Sequence, residues 1–330
     1  MKKRIKHLPL VLLLVLTLIL TGCVSTPTIP VNAGLLTTTK APEANIVADA
    51  AKAYFANMPA DIYKIPEKDF VDKVKANEDM FVMDIRQAVD YDKGHIKGAV
   101  NIPWGESIAK ELASLPKDKV IMVYCYTGQT AGQTVALLNV AGFNAKSINL
   151  GWNLGISKVE GIADVTETVA NAIPEAKTQI DPEIQTAITN YFSKMAELKG
   201  TTYANYKISE DNAKKVLDAK LTNVKFLSVR KGEDFDKQHV PGAINLPFSK
   251  GMQAYFDLLL LKNKKIIVYC YTGQTAGQTV AILRLLGYDA VSLNSGMGTP
   301  ATPGAGWANK GFPTEGATNT VLKPSAGDHS

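Results

Sequence analysis

Two cysteines of this 330-residue chain sit in identical settings. The stretch Val-Tyr-Cys-Tyr-Thr-Gly-Gln-Thr-Ala-Gly-Gln-Thr-Val-Ala at 123–136 recurs letter for letter at 268–281, so Cys125 and Cys270 hold equivalent places in two copies of one unit. The residues before them, 120–124 and 266–269, are apolar, β-branched and aromatic runs of buried-strand type. The residues after them, 131–141 before Gly142 and 276–286 before Gly287, have the pattern of a helix with a glycine stop. Each cysteine therefore ends a strand, and the next residues form a loop over a helix N-terminus. Backbone N–H groups and the helix dipole stabilise an anion there, a thiolate included. The chemistry this setting suits is nucleophilic attack by sulfur. Gly128 and Gly273 let the backbone turn tightly enough for its N–H groups to converge. Thr127 and Thr130, with their counterparts Thr272 and Thr275, add hydroxyl donors or cap the helix, and capping is the favoured reading for Thr130 and Thr275.

The elements that must position these loops also repeat. Asp84-Ile85-Arg86 and the run 91–104, with Gly94-His95-Ile96 at its centre, are matched by Ser228-Val229-Arg230 and the run 235–248 around His239. Further upstream, Tyr54-Phe55 with Met58 is matched by Tyr191-Phe192 with Met195. Tyr63-Lys64-Ile65 with Glu67 is matched by Tyr206-Lys207-Ile208 with Glu210. Strand candidates at 81–83, 99–102, 120–124 and 145–150 alternate with helical stretches, which predicts an α/β fold: two units, each a small parallel sheet with helices on both faces. The predicted organisation is a leader at 1–22, a Thr/Pro-rich tether at 23–43 and a first domain at 44–160. A connector comes next at 161–181, with helical character at 165–172, then a second domain at 182–315 and a Gly/Ser/Thr-rich tail at 316–330.

Lys2, Lys3, Arg4 and Lys6 precede an apolar run from Leu8 to Leu20, with no acidic residue before Cys23. This charged and then apolar leader is too short for a confident membrane span. It closes on Leu20-Thr21-Gly22-Cys23, which resembles the bacterial lipoprotein signal. The resemblance implies cleavage before Cys23, acylation of that residue and a protein anchored by lipid outside the cytoplasmic membrane. Of the three cysteines, that leaves Cys125 and Cys270, and a bridge between them would shut both loops. No metal site is expected, since Cys-x-x-Cys is absent and His7, His95, His239 and His329 form no ligand cluster. The formal charge of +5 falls almost to neutrality without the leader, with 32 basic against 31 acidic residues, so no nucleic-acid partner is expected.

Asp-x-Arg after a strand, Gly-His-Ile-x-Gly-Ala-x-Asn-Ile-Pro, and a later strand ending in Cys-x-x-Gly before a helix together resemble the rhodanese family of sulfurtransferases. The resemblance covers both repeats, hence a tandem rhodanese. It implies that Cys125 and Cys270 accept sulfane sulfur from thiosulfate, polysulfide or a persulfide donor, become persulfides, and pass the sulfur to a thiophilic acceptor without a cofactor. The surrounding residues would be Tyr126, Thr127, Gly128, Gln129 and Thr130, and Tyr271, Thr272, Gly273, Gln274 and Thr275. It places His95 and His239 in structural turns and pairs Arg86 with Asp84, a pair weakened in the second repeat, where Ser228 stands for the aspartate and Gln238 for the usual glycine.

Two departures sharpen the expectation. Related phosphatases and arsenate reductases need an arginine six positions after the cysteine; here that position is Ala131 or Ala276, which disfavours them. Many sulfurtransferases carry a loop arginine or lysine to hold thiosulfate, and neither loop here has one. The missing contact predicts weak thiosulfate binding and a donor of lower charge. A non-enzymatic sulfur carrier or protein-binding module is the alternative, and no particular protein partner is implied.

Overall fold

The computed structural model describes residues 45–316. The expected leader, the tether with Cys23, and the tail beyond residue 316 lie outside the described residues.

In the first half, helices α1 (Ile46–Ala56), α2 (Glu67–Lys75), α3 (Ala88–Tyr91), α4 (Glu106–Lys110) and α5 (Gln129–Val140) alternate with strands. The strands are β1 (Lys64–Ile65), β2 (Met80–Asp84), β3 (His95–Ile96), β4 (Val100–Asn101), β5 (Val120–Tyr124), β6 (Asn144–Ile148) and β7 (Thr166–Glu167). The second half repeats the plan with α6 (Pro182–Ala196), α7 (Glu210–Asp218), α8 (Gly232–Lys237), α9 (Phe256–Leu259) and α10 (Gln274–Leu285). Its strands are β8 (Lys207–Ile208), β9 (Val224–Ser228), β10 (Ile244–Asn245), β11 (Lys265–Tyr269) and β12 (Asp289–Leu293). The sheet orders β1-β6-β5-β2-β4 and β8-β12-β11-β9-β10 are the same topology, and every pairing in both sheets is parallel. The expectation of two parallel-sheet α/β units is met.

Burial explains how the units join. Each sheet keeps a core of its own on one face: Phe70, Tyr91, Tyr124 and Ile148 in the first half, and Phe235, Tyr269, Leu293 and Trp307 in the second. The opposite faces share a single core, in which Ile121, Val123 and Val135 of the first half join Ile266, Val268 and Val280 of the second. Helices α5 and α10 therefore lie between the two sheets and are buried almost all round, as an apolar helix with no solvent face must be. The helices that open each half cross over. Phe55 of α1 meets Phe248 and Phe256 of the second half edge-on, while Phe192 of α6 meets Trp104 of the first.

Helical structure in the stretch at 165–172 is limited to Val165, which ends a short 3-10 turn over Ile162–Val165. Thr166–Glu167 is a strand antiparallel to β3, with His95 opposite Glu167. Asn171 donates to Glu167 Oε1 (2.8 Å) and to Ala99 O (3.1 Å), so the early part of the expected connector closes on the first half. Glu315 bridges to His239 in the same way in the second half. A short antiparallel pair that caps a turn has too few residues to leave an alternating pattern in the sequence.

Candidate functional site

Cys125 and Cys270 each stand at the C-terminal end of the central strand of their sheet, both buried and both free thiols. Gly128 and Gly273 come three residues later with φ of 90° and 94°, a left-handed conformation that suits glycine and turns the chain straight into the helix. The turn brings backbone N–H groups onto the sulfur. Gly128 N donates to Cys125 Sγ at 3.1 Å and Ala131 N at 3.4 Å, and Gly273 N donates to Cys270 Sγ at 3.1 Å. The first helical turn leaves its N–H groups without intrahelical acceptors, so negative charge on that sulfur finds donors already in place. The main chain of each loop is held from behind. Cys125 O accepts from Trp152 N and Cys270 O from Met297 N, both at 2.8 Å.

This geometry changes the roles of several loop residues. The N-cap position belongs to Gly128 and Gly273, with no side-chain cap, and the helices begin at Gln129 and Gln274. Thr130 and Thr275 therefore lie inside the first turn, and the capping role expected for them is not filled. Tyr126 and Tyr271 send their hydroxyls to the rim, donating to Asp90 Oδ2 (2.7 Å) and Asp234 Oδ2 (2.5 Å). Gln129 and Gln274, expected to face substrate, reach into the opposite half. Gln129 Nε2 donates to Ser292 Oγ (2.6 Å) and Leu293 O (3.0 Å), and Gln274 Nε2 to Ser147 Oγ (2.7 Å) and Ile148 O (3.2 Å).

The repeated segment is thus an interface with itself. Helices α5 and α10 cross at Gly132 and Gly277, so closely that a Cβ on Gly132 would lie 2.3 Å from Gln274 O, and one on Gly277 would lie 2.3 Å from Gln129 O. One residue on, Gln133 accepts from Tyr191 Oη (2.5 Å) and Gln278 from Tyr54 Oη (2.6 Å), which ties each helix to the helix that opens the other half.

A cavity of about 400 Å³ opens beside Cys270. Val229, Phe248, Cys270, Tyr271, Thr272 and Thr275 line it from the second half, and Ile62, Lys64 and Glu67 from the first. Lys64 is only partly exposed. Burial pulls its ammonium below the ordinary lysine range of 10.5, and negative charge on Cys270 opposes that shift. Lys207, its counterpart, is lowered for the same reason and opposed by Cys125. Sequence alone shows the repeated Tyr-Lys-Ile without assigning these lysines a role. The available signal is a cation kept in both copies of a strand only two residues long.

Behind the loops, Arg86 and Asp84 form a buried pair, with Nε 3.1 and 3.0 Å from the two carboxylate oxygens and Nη2 2.6 Å from Oδ2. Arg86 also lies over the Trp152 ring at 4.2 Å and donates to Gly94 O. Its guanidinium is raised further above the ordinary arginine value: burial, the largest influence, works against the charged form, and the Asp84 hydrogen bonds and charge outweigh it. The histidines brace turns. His95 stacks on Tyr91 with its ring nitrogens near Tyr91 O and Val169 O, and His239 stacks on Phe235 with Nδ1 near Phe235 O.

Against known proteins, the family model described as "Rhodanese-like domain" matches residues 67–157 and 210–298, together more than half of the chain. A thiosulfate sulfurtransferase of Escherichia coli, PspE, is 33% identical over 78 residues, 24% of this chain and 75% of that protein. A Bacillus subtilis protein named as a candidate sulfur carrier, YrkF, is 31% identical over 91 residues, 28% of this chain; the chain spans 48% of that relative's length. Among solved structures, a thiosulfate sulfurtransferase from Pseudomonas aeruginosa aligns over 82% of this chain and 70% of its own, at 14% identity and a TM-score of 0.29.

Proposed function

We propose, from the premise that this chain belongs to the rhodanese-like domain family, that it is a sulfurtransferase using both Cys125 and Cys270. The family supports sulfur transfer or sulfur carriage in general. The observation that carries the catalytic reading is the donation of backbone N–H groups to both sulfurs at 3.1 Å. In the first step the cysteine thiolate attacks the sulfane sulfur of the donor. A new S–S bond forms to Sγ as the donor's own bond to that sulfur breaks, and the leaving group, sulfite when thiosulfate is the donor, departs with the electron pair. The enzyme persulfide carries its negative charge on the outer sulfur, within the N–H-lined loop. A thiophilic nucleophile then attacks that outer sulfur, takes it, and returns the cysteine as thiolate. No metal or redox partner enters this cycle.

Thiosulfate-dependent sulfur transfer tests the reading. Cys125→Ser and Cys270→Ser should each retain part of the activity, and the double variant should have none. Complete loss from either single change would mean a relay or a silent half. Undiminished activity in the double variant would remove both cysteines from the mechanism. Persulfides that form but never pass their sulfur on would favour the carrier reading.

We infer further that the chain is exported and anchored to the membrane by lipid at Cys23. The support is Leu20-Thr21-Gly22-Cys23 after a basic and apolar leader. One acyl chain gives only marginal binding, so two or more are required. Among the described residues no helix is long and apolar enough to cross a membrane. Cells expressing wild-type protein should yield an N-terminal cysteine of acylated mass, and Cys23→Ala should abolish it. Wild-type protein without acyl mass would refute the anchor.

A further inference from the structure

Both cysteine loops are uncharged, yet each lies against a lysine of the opposite half. Lys64 on β1 pairs in register with Ser147 of β6. Gln274, four residues after Cys270, places its amide on that same Ser147 and on Ile148 O. The Cys270 loop is thereby pinned to the strand end next to Lys64, and the lysine and the cysteine line one cavity. The pseudo-symmetric arrangement holds on the other side. Lys207 on β8 pairs with Ser292 of β12, and Gln129, four residues after Cys125, docks on Ser292 and Leu293. Among the described residues neither lysine is paired with a carboxylate, and negative charge on the facing cysteine, Cys270 for Lys64 and Cys125 for Lys207, favours its ammonium. A half-buried cation with no carboxylate partner costs free energy that a bound anion would recover.

We propose that each half supplies the anion-binding cation of the other half's sulfur site, Lys64 holding an anionic donor such as thiosulfate at Cys270 and Lys207 holding it at Cys125. The proposal rests on the sulfurtransferase reading and revises one expectation drawn from the loops. The cation is present but comes from across the interface, so thiosulfate is a competent donor. It also gives the shared core a functional reason, because the lysine assigned to each cysteine comes from the other half. Glu67 and Lys231 are the other charged residues lining the Cys270 cavity, and they set a background that every comparison between variants holds constant.

The test uses the full chain with one cysteine at a time. In Cys125→Ser protein, where only Cys270 reacts, Lys64→Gln should raise KM for thiosulfate about ten- to hundredfold, the loss expected for one charge-assisted contact. Lys207→Gln should do far less in that protein, and the two effects should exchange in Cys270→Ser protein. Lys64→Arg should restore most of the affinity. The crossover is its own folding control, since a misfolded variant would weaken both sites together. Equal losses at both cysteines, losses at the cysteine of the lysine's own half, or no loss would overturn the proposal while leaving the sulfurtransferase reading standing. Absence of sulfur transfer from thiosulfate and from inorganic polysulfide in the wild-type protein as well as in both single-cysteine proteins, before any lysine is changed, would instead remove the reading on which the proposal rests.

Discussion

The two halves agree to the letter along the loops and helix starts that pack on each other, and diverge in the layer behind them. From Val123 to Ala136, and again from Val268 to Ala281, the sequence is the same. Just behind that segment, a buried Asp84–Arg86 pair in the first half becomes Ser228 and Arg230 in the second. Arg230 donates to Gln238 O, but its Nε is buried without a partner. Trp152, which lies over Arg86, is replaced by Met297, and Trp307 fills the second outer core from a later segment. A surface that packs on its own copy across a pseudo-twofold is constrained twice, once as loop and once as neighbour. A change at Gln129 or Gly132 alters a sulfur loop or helix in one half and a docking surface in the other. The supporting layer faces only its own domain and has repacked separately.

That contrast can be broken from either side. The largest effect is expected at Asp84→Ser, which strands the buried guanidinium of Arg86 and should cost about 3–5 kcal/mol by urea unfolding. The reverse change, Ser228→Asp, gives Arg230 the carboxylate it lacks and should raise stability by about 1 kcal/mol, provided the buried carboxylate is fully hydrogen-bonded. If Asp84→Ser is no worse than a typical surface change, the supporting layers are equivalent and the contrast is void. The helix crossing ranks second. Gly132→Ala drives a methyl onto Gln274 O and should cost about 1–3 kcal/mol, with Gly277→Ala matching it because the crossing is symmetric. A large difference between the two glycines would show that the halves do not meet as equals. Smaller again is Gln274→Ala, which removes the amide that docks on Ser147 and Ile148. It should cost about 1 kcal/mol and slow transfer at Cys270 more than at Cys125, as measured in the single-cysteine proteins.

The repeat, the strand–cysteine–loop–helix order and the parallel sheets are legible because each is written locally: β-branched runs before the cysteines, glycine stops after the helices, the same spacing twice. What the chain does not disclose is how the copies face one another. Gln129 and Gln274 look like loop residues that could touch a substrate, and nothing in their neighbours says that the amides span to Ser292 and Ser147. Gly132 reads as a weak spot in a helix until a second helix is seen to need the space. Lys64 and Lys207 sit in strands of two residues, where no periodicity assigns a face, so the loops read as lacking a cation although one lies across the interface from each. The threonine caps fail for a local reason. Gly128 and Gly273 adopt the left-handed conformation themselves and start the helix two residues earlier than the hydroxyls of Thr130 and Thr275 would require.

The central claim, that both cysteines take up sulfane sulfur, is tested most directly by intact mass spectrometry of soluble protein lacking the leader and Cys23, after exposure to thiosulfate or polysulfide. Wild-type protein should gain up to two sulfur atoms that a thiol reductant removes, Cys125→Ser and Cys270→Ser should each gain one, and the double variant none. Sulfur retained by the double variant, or no sulfur on the wild-type protein with either donor, would contradict the account.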